Sequence, residues 1–193
     1  LIHSAGELST IFKRDDDKYV MKIVSSDIQH KTDIGGVILN IENINDAQKA
    51  YEKILSNVKK NAPEAKIDGV MVSPMIKGGI ECILGAKIDP VFGPIVMFGL
   101  GGIYAEVMKD IAFAEAPLSE KKAEKMISSL KGRDLFFGTR GQLSVDIKSL
   151  VKLIVSMSNL IAANSDKIDQ VEMNPVLVSE KQITALDALI ITK

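Results

Sequence analysis

Cysteine, histidine, net charge and long apolar runs are what this sequence has least of. A single cysteine, Cys82, among 193 residues excludes an internal disulfide framework and a cysteine-rich metal site. It fits a reducing compartment such as the cytoplasm. With 24 basic against 25 acidic side chains the formal charge is -1, so nothing draws the chain as a whole to nucleic acid or to an anionic membrane. Any phosphate binding must therefore be local. The longest apolar stretches, 95–100 and 150–161, are too short or too interrupted by polar residues to cross a bilayer, and no signal peptide is visible. A protein without membrane or nucleic-acid partners is expected. Of the two histidines, only His30 lies away from the terminus.

The length allows one substantial domain or two small lobes. The chain begins at Leu1 rather than Met, and its first dozen residues end in the charged run Lys13-Arg14-Asp15-Asp16-Asp17-Lys18, which reads as a solvated turn at the edge of a fragment, a processed chain or a fusion remnant. Tyr19 to Val24 and Val37 to Ile41 read as strands around a polar loop that closes on Gly35-Gly36. Ala47, Ala50, Tyr51, Ile54, Leu55 and Val58 follow helical spacing, which predicts a helix from a cap at Asn45 to Lys60. Strands are predicted at Val70–Val72, Ile80–Lys87, Ile95–Phe98 and Ile103–Met108, broken by Pro74, Gly78-Gly79, Asp89-Pro90 and the glycines after Phe98. Two amphipathic helices follow, one capped by Ser119 and one over about 144–163. The tail alternates again at Val171–Met173, Val176–Val178 and Ile183–Ala188, with Pro175 ending the first of these strands and Glu180-Lys181 turning between the last two. Clustered strands without regular βαβ alternation predict an α+β fold of mostly antiparallel sheets and packing helices.

Lys22 stands in an apolar strand on the face of Val20 and Val24. A lone strand lysine ordinarily snorkels to water from a sheet margin. Here Asp27, His30, Lys31, Thr32 and Asp33 follow within a dozen residues, a loop dense in proton carriers and cations. His30 is either an ordinary loop histidine or a nucleophile able to hold a phosphoryl group, with Lys31 offsetting the charge. Gly99-Leu100-Gly101-Gly102 after a strand either makes a tight turn or lets backbone amides approach a phosphate; it matches neither the P-loop nor the dinucleotide fingerprint. Glu172, Asn174 and Asp187 are hard oxygen ligands on adjoining strands, suited to Mg²⁺, or else the solvent face of an edge hairpin. Arg140, between Gly138 and Gly141, is either a surface charge or a guanidinium free to grip a phosphoryl group. Glu81 and Cys82 point to opposite faces of one strand, which makes Cys82 a small core hydrophobe.

Taken in order, Val20-Met21-Lys22-Ile23-Val24-Ser25, Asp27-Ile28-Gln29-His30-Lys31-Thr32-Asp33-Ile34-Gly35-Gly36-Val37, Asp89-Pro90-Val91-Phe92-Gly93-Pro94, Phe98-Gly99-Leu100-Gly101-Gly102-Ile103, Gly138-Thr139-Arg140-Gly141 and Glu172-Met173-Asn174-Pro175 resemble the ATP-grasp domain of ADP-forming acetyl-CoA synthetases and of the fused NDP-forming acyl-CoA synthetases. The resemblance spans nearly everything from Val20 to the C-terminus. It implies two α+β lobes, about 1–70 and about 71–193, with an incomplete N-terminal part and a nucleotide in the cleft. It implies Lys22 near the phosphates, Ser73, Met75, Glu81, Gly101 and Gly102 among the nucleotide contacts, and Glu172, Asn174 and Asp187 around Mg²⁺. It further implies His30 as the phosphate-accepting histidine and Arg140 near the transferred group. The substrates would be ADP or ATP, and the partner a CoA-binding subunit or domain in a hetero-oligomer. Two other readings share the fold: a non-catalytic or regulatory ATP-grasp module of a protein acetyltransferase, disfavoured because His30 and the set Glu172, Asn174 and Asp187 are intact, and a succinyl-CoA synthetase β subunit, which the His30-Lys31-Thr32-Asp33 segment fits less well.

Overall fold

The computed structural model describes residues 1–12, 18–28, 30–76, 78–102, 109–138 and 144–193. The predicted strand Ile103–Met108, most of the charged run after Phe12, and Arg140 lie outside the described residues. The chain divides into two compact units, Leu1–Lys77 and Gly78–Lys193.

In the first unit β1 (Tyr19–Val24) is the middle strand of an antiparallel sheet, with β2 (Val37–Ile41) on one side and β3 (Gly69–Pro74) on the other. Helix α1 (Leu8–Ile11) is short, and α2 (Ile44–Asn61) lies on β1 and β2. Alternation sends Met21 and Ile23 under α2, where they meet Ala47, Ala50, Ile54 and Val58 in a core that also takes Ile41 and Val70. The helix starts two residues earlier than its apolar spacing suggested. Its cap is Asn43, not Asn45: the Asn43 amide oxygen accepts from the Asp46 N–H (3.0 Å) while its NH₂ donates to the Asp46 carboxylate (2.8 Å). The spacing could not show this, because capping is polar and precedes the first buried residue. The opening residues carry more structure than composition suggested. Ile2 and Leu8 are fully buried, Ile2 exchanges two backbone hydrogen bonds with Val70 (2.8 and 2.9 Å), and the Tyr51 hydroxyl donates to the His3 carbonyl.

In the second unit the described strands form a six-stranded antiparallel sheet ordered β6 (Ile111–Glu115), β5 (Gly93–Leu100), β4 (Ile80–Asp89), β7 (Ile168–Val178), with β8 (Ile183–Ala185) and β9 (Ala188–Thr192) both on the outer edge of β7. Strand β6 was not anticipated; short Ala-rich segments carry little strand signal. Helices α3 (Glu120–Ser129) and α4 (Ile147–Ala163) cover one face, burying Cys82, Leu84, Val96, Phe98, Leu100 and Val171 against Ile127, Leu150, Ile154 and Ile161. Ser119 caps α3 as expected, whereas α4 begins later than 144, at an Asp146 cap that accepts from the Ser149 N–H (3.0 Å) and hydroxyl (2.6 Å).

Pro175 does not end a strand. Strand β7 runs through it because the β4 ladder slips there, pairing Cys82 with Val176 and Leu84 with Met173, so the position without an N–H falls in the irregularity. Conversely, the segment read as one strand over 183–188 is two, parted at Leu186 and Asp187. The β4–β5 turn forms at Asp89-Pro90 as its composition implied, the Asp89 carboxylate accepting from the N–H groups of Val91 (2.9 Å) and Phe92 (3.1 Å), which lowers its pKa.

Asp110 ties the sheet to the turn after α3. Only 4 % exposed, its two carboxylate oxygens accept from the N–H groups of Lys131 (2.8 Å) and Gly132 (2.7 Å), and its carbonyl accepts from Leu100 N–H. Replacing Asp110 by Ala strands both donors and is expected to lower unfolding free energy by about 2–3 kcal/mol in a denaturant titration. Wild-type stability would show that water satisfies the two amides equally well.

Candidate functional site

In the first unit the face of the sheet opposite α2 carries Lys22. Its cross-strand neighbours are Val37 and Met71, and Ser73 stands opposite Val20 one step along the same face. Lys22 and Ser73 are thus brought together by alternation, and both are half-buried. Met75 follows the end of β3, where its N–H donates to the Lys18 carbonyl (2.7 Å).

The His30 loop leaves β1 at Ser25 and returns at Gly36. Ile28 is buried in the core, and the Asp27 carboxylate accepts from Lys66 N–H (2.8 Å). His30 itself is exposed, and the turn Lys31–Gly35 follows at once. The packing shows why glycines stand at 35 and 36. A Cβ on Gly35, which has φ +70°, would lie 2.5 Å from the Asn57 amide, and one on Gly36 would lie 2.6 Å from Ile23 Cγ2 and 2.9 Å from the Lys31 carbonyl. These glycines serve close approach, and the turn is tied to β1 by the Ile23 N–H bond to the Gly36 carbonyl (2.8 Å).

In the second unit the face away from α3 and α4 carries Glu81, Gly85 and Lys87 on β4, Met97 on β5, Phe113 on β6, and Gln170, Glu172 and Asn174 on β7. Gly85 pairs with Met97 on one side and Glu172 on the other, and the missing side chain leaves a hollow of about 300 Å³ lined by Lys87, Met97, Phe113, Gln170 and Glu172. Sequence reasoning named none of these but Glu172. Extending the Glu81/Cys82 alternation along β4 reaches Gly85, although which glycine faces outward is a question of register.

At one margin of the hollow the irregularity of β7 and the break between β8 and β9 coincide. The Asn174 N–H donates to the Asp187 carbonyl (3.2 Å), and the Leu186 N–H donates to the Pro175 carbonyl (2.9 Å). The Glu172 carboxylate accepts from the amides of Asn174 (3.1 Å) and Gln170 (3.3 Å), and the Asp187 carboxylate accepts from Ala188 N–H (3.0 Å). Glu172 and Asn174 are therefore bonded side chain to side chain and Asp187 joins them through its carbonyl, which gathers two carboxylates and an amide. Among the described residues no cluster of three or more His, Cys, Asp or Glu side chains forms a metal site. A hard cation would depend on this mixed set, which has the oxygen chemistry that Mg²⁺ requires.

In the glycine run after β5 two amides are bonded within the protein. The Gly101 N–H donates to the Glu81 carbonyl (2.7 Å) and the Leu100 N–H to Asp110, so both amides are spoken for. Cβ atoms on Gly99 and Gly101 would strike Asp110, Ile111 and the backbone of β4, and one on Gly102 would stand 2.5 Å from the Glu81 carboxylate. Glu81 beside Gly102 makes this corner unfavourable for an anion and suited to hydroxyl donors.

Against this geometry the family comparison is decisive: a model of the ATP-grasp domain matches residues 1–192. The chain belongs to the ATP-grasp family of ADP-forming acyl-CoA synthetases. It is 41 % identical over 175 residues to the β subunit of acetate–CoA ligase [ADP-forming] II of Pyrococcus furiosus, covering 90 % of this chain and 74 % of that subunit. It is 45 % identical over 162 residues to 4-hydroxybutyrate–CoA ligase [ADP-forming] of Nitrosopumilus maritimus, covering 84 % of this chain but 23 % of that protein. The chain thus spans under a quarter of this longer relative. Among solved structures, dinucleotide forming acetyl-coenzyme A synthetase 1 of Ca. Korarchaeum cryptofilum with coenzyme A, Ca-AMPCP and HgCl⁺ superimposes with a TM-score of 0.91 at 39 % identity, over 100 % of this chain and 84 % of that one. The same synthetase with Mg-AMPPCP, described with its phosphohistidine segment pointing towards the nucleotide binding site, gives 0.77 at 35 % identity over 98 % and 81 %. Among the described residues no helix is long and apolar enough to cross a membrane.

Beneath Glu81 the Cys82 thiol is buried, and desolvation, reinforced by the Glu81 charge, pushes its pKa from 9.0 to about 12. The native state therefore holds this proton while the unfolded chain loses it, so the contribution to stability is complete below pH 9 and is lost as the pH rises towards 12. Alkylation by iodoacetamide at pH 8 should label Cys82 only after denaturation; labelling of the native protein at the rate of a free thiol would place the residue at the surface.

Proposed function

We propose that this chain is the nucleotide-binding part of an ADP-forming acyl-CoA synthetase, in which His30 takes a phosphoryl group from an acyl phosphate and passes it to a nucleoside diphosphate. The observation that carries the reading is the convergence of Glu172, Asn174 and Asp187 at the break between β8 and β9, in a chain of this family that also keeps an exposed histidine on an anchored loop. Glu172, Asn174 and Asp187 would hold Mg²⁺, which when bound offsets the charge of the nucleotide phosphates. Lys22 supplies a further cation to the phosphates, Ser73 and Met75 lie along the base, and Glu81 takes ribose hydroxyls beside Gly101 and Gly102. Arg140 would steady the transferred group.

A neutral imidazole nitrogen of His30 attacks phosphorus, the P–O bond to the acyl group breaks, and the carboxylate leaves. A terminal phosphate oxygen of ADP then attacks the same phosphorus, the P–N bond breaks, and ATP leaves with the imidazole restored. A CoA-binding subunit or domain makes the acyl phosphate from acyl-CoA and phosphate, so the working enzyme is a hetero-oligomer or a fusion. The cytoplasm supplies ADP, phosphate and CoA thioesters, and we place the enzyme there.

Two measurements test the reading. Asp187→Ala and Asn174→Ala should each weaken Mg-dependent ADP binding about tenfold or more in calorimetry, with little effect on binding measured without Mg²⁺; unchanged Mg²⁺ dependence in both moves the cation elsewhere. In the enzyme joined with its CoA-binding part, Mg-ATP should leave acid-labile, base-stable phosphate on this chain. His30→Asn should abolish that label and turnover while nucleotide affinity stays within about twofold. Equal labelling of the variant would refute the carrier.

A further inference from the structure

We infer that Asn57 and Asn61 of α2 are positioning residues for the His30 segment, fixing the point from which the imidazole is presented; the inference rests on His30 being the phosphoryl carrier. The two asparagines are one helical turn apart and share a face. The Asn57 NH₂ donates to the Gly35 carbonyl (2.9 Å), and the Asn61 NH₂ donates to the Ile34 carbonyl (3.1 Å). Neither caps the helix, whose N-cap is Asn43 and whose C-cap is Ala62. Asparagine is a weak helix former, so these two side chains cost α2 some helical propensity and return it as bonds to the loop.

Those bonds complete a clamp. Within the turn the Gly35 N–H donates to Thr32 (3.0 Å) and the Gly36 N–H to Lys31 (2.8 Å), while the Gly36 carbonyl accepts from Ile23 N–H of β1 (2.8 Å). The Cβ-free backbones of Gly35 and Gly36 let Asn57 and Ile23 come this close. Upstream, Ile28 is 6 % exposed and the Asp27 carboxylate holds Lys66 N–H.

His30 is thus bonded directly to the first residue of a fixed turn and lies two positions past a buried side chain. An extended chain gains only about 3.3–3.6 Å per residue, so so short a stub cannot carry the imidazole far while both anchors hold. Large travel requires Ile28 to leave the core or the clamp to open. The clamp has more bonds and is tied to both a helix and a central strand, so it acts as the pivot and the Ile28 side as the end that yields. Loosening the clamp spreads the imidazole over more positions, and in-line attack on phosphorus tolerates little misplacement.

The test uses the complete enzyme with its CoA-binding part and follows single-turnover labelling of His30 by saturating Mg-ATP. Asn57→Ala and Asn61→Ala should each slow labelling about tenfold while KM for the nucleotide stays within about twofold. Asn61→Gln, which keeps the amide donor at an exposed position, should restore the rate to within about threefold of wild type. Label in the wild type with unchanged rates in both Ala variants overturns the inference alone, as does a loss that appears in KM or only in proportion to unfolded protein. Absence of label on wild-type His30 overturns the carrier assignment and this inference with it.

Discussion

A strand must send successive side chains to opposite faces, and among the described residues the helices of each unit cover one face of the sheet. Everything else described here depends on that pairing of alternation with one-sided cover. In β4, Cys82, Leu84 and Ala86 are buried while Glu81 and Lys87 are exposed; in β1, Met21 and Ile23 lie under α2 while Lys22 looks the other way. Each buried Leu or Ile contributes about 1.5–3 kcal/mol, so a slip of one residue, which would exchange the two faces, is strongly disfavoured. The polar groups of the candidate site have their place because the apolar groups beside them have theirs.

This explains which features could be read from the sequence. Strands β1 and β2 and the inner faces of α2, α3 and α4 follow from apolar periodicity, a local property. Lys22, Glu81 and Glu172 could be named because each interrupts such a pattern. Gly85, Met97 and Phe113 could not, since the hollow exists only once four strands are in register. Nor could the burial of Ile2 and Leu8, which is decided by contact with β3 and α2 far along the chain. Asn43 and Asp146 were missed by a few residues because caps are chosen by backbone hydrogen bonding rather than by periodicity.

The glycines separate two ideas that sequence alone merges. Gly35, Gly36, Gly99 and Gly101 sit where a neighbouring backbone or side chain occupies the space a Cβ would need. Their role is to allow dense packing next to the site, and the amides of Gly35, Gly36 and Gly101 are already bonded within the protein. Close packing beside the His30 loop and beside Glu81 depends on residues usually associated with freedom.

The edge of β7 is built from two separate strands rather than one. Strand β8 is registered on Val176–Val178 and β9 on Ile168–Met173, and the link between them, Leu186-Asp187, belongs to neither ladder. A long continuous edge strand would transmit any change at its middle to both ends. Here each ladder keeps its own register, and the link touches β7 only at its irregularity, through the bonds at Asn174 and Pro175. A change in the length of that link would meet the sheet at those two bonds and leave the Val176–Val178 and Ile168–Met173 pairings in their registers.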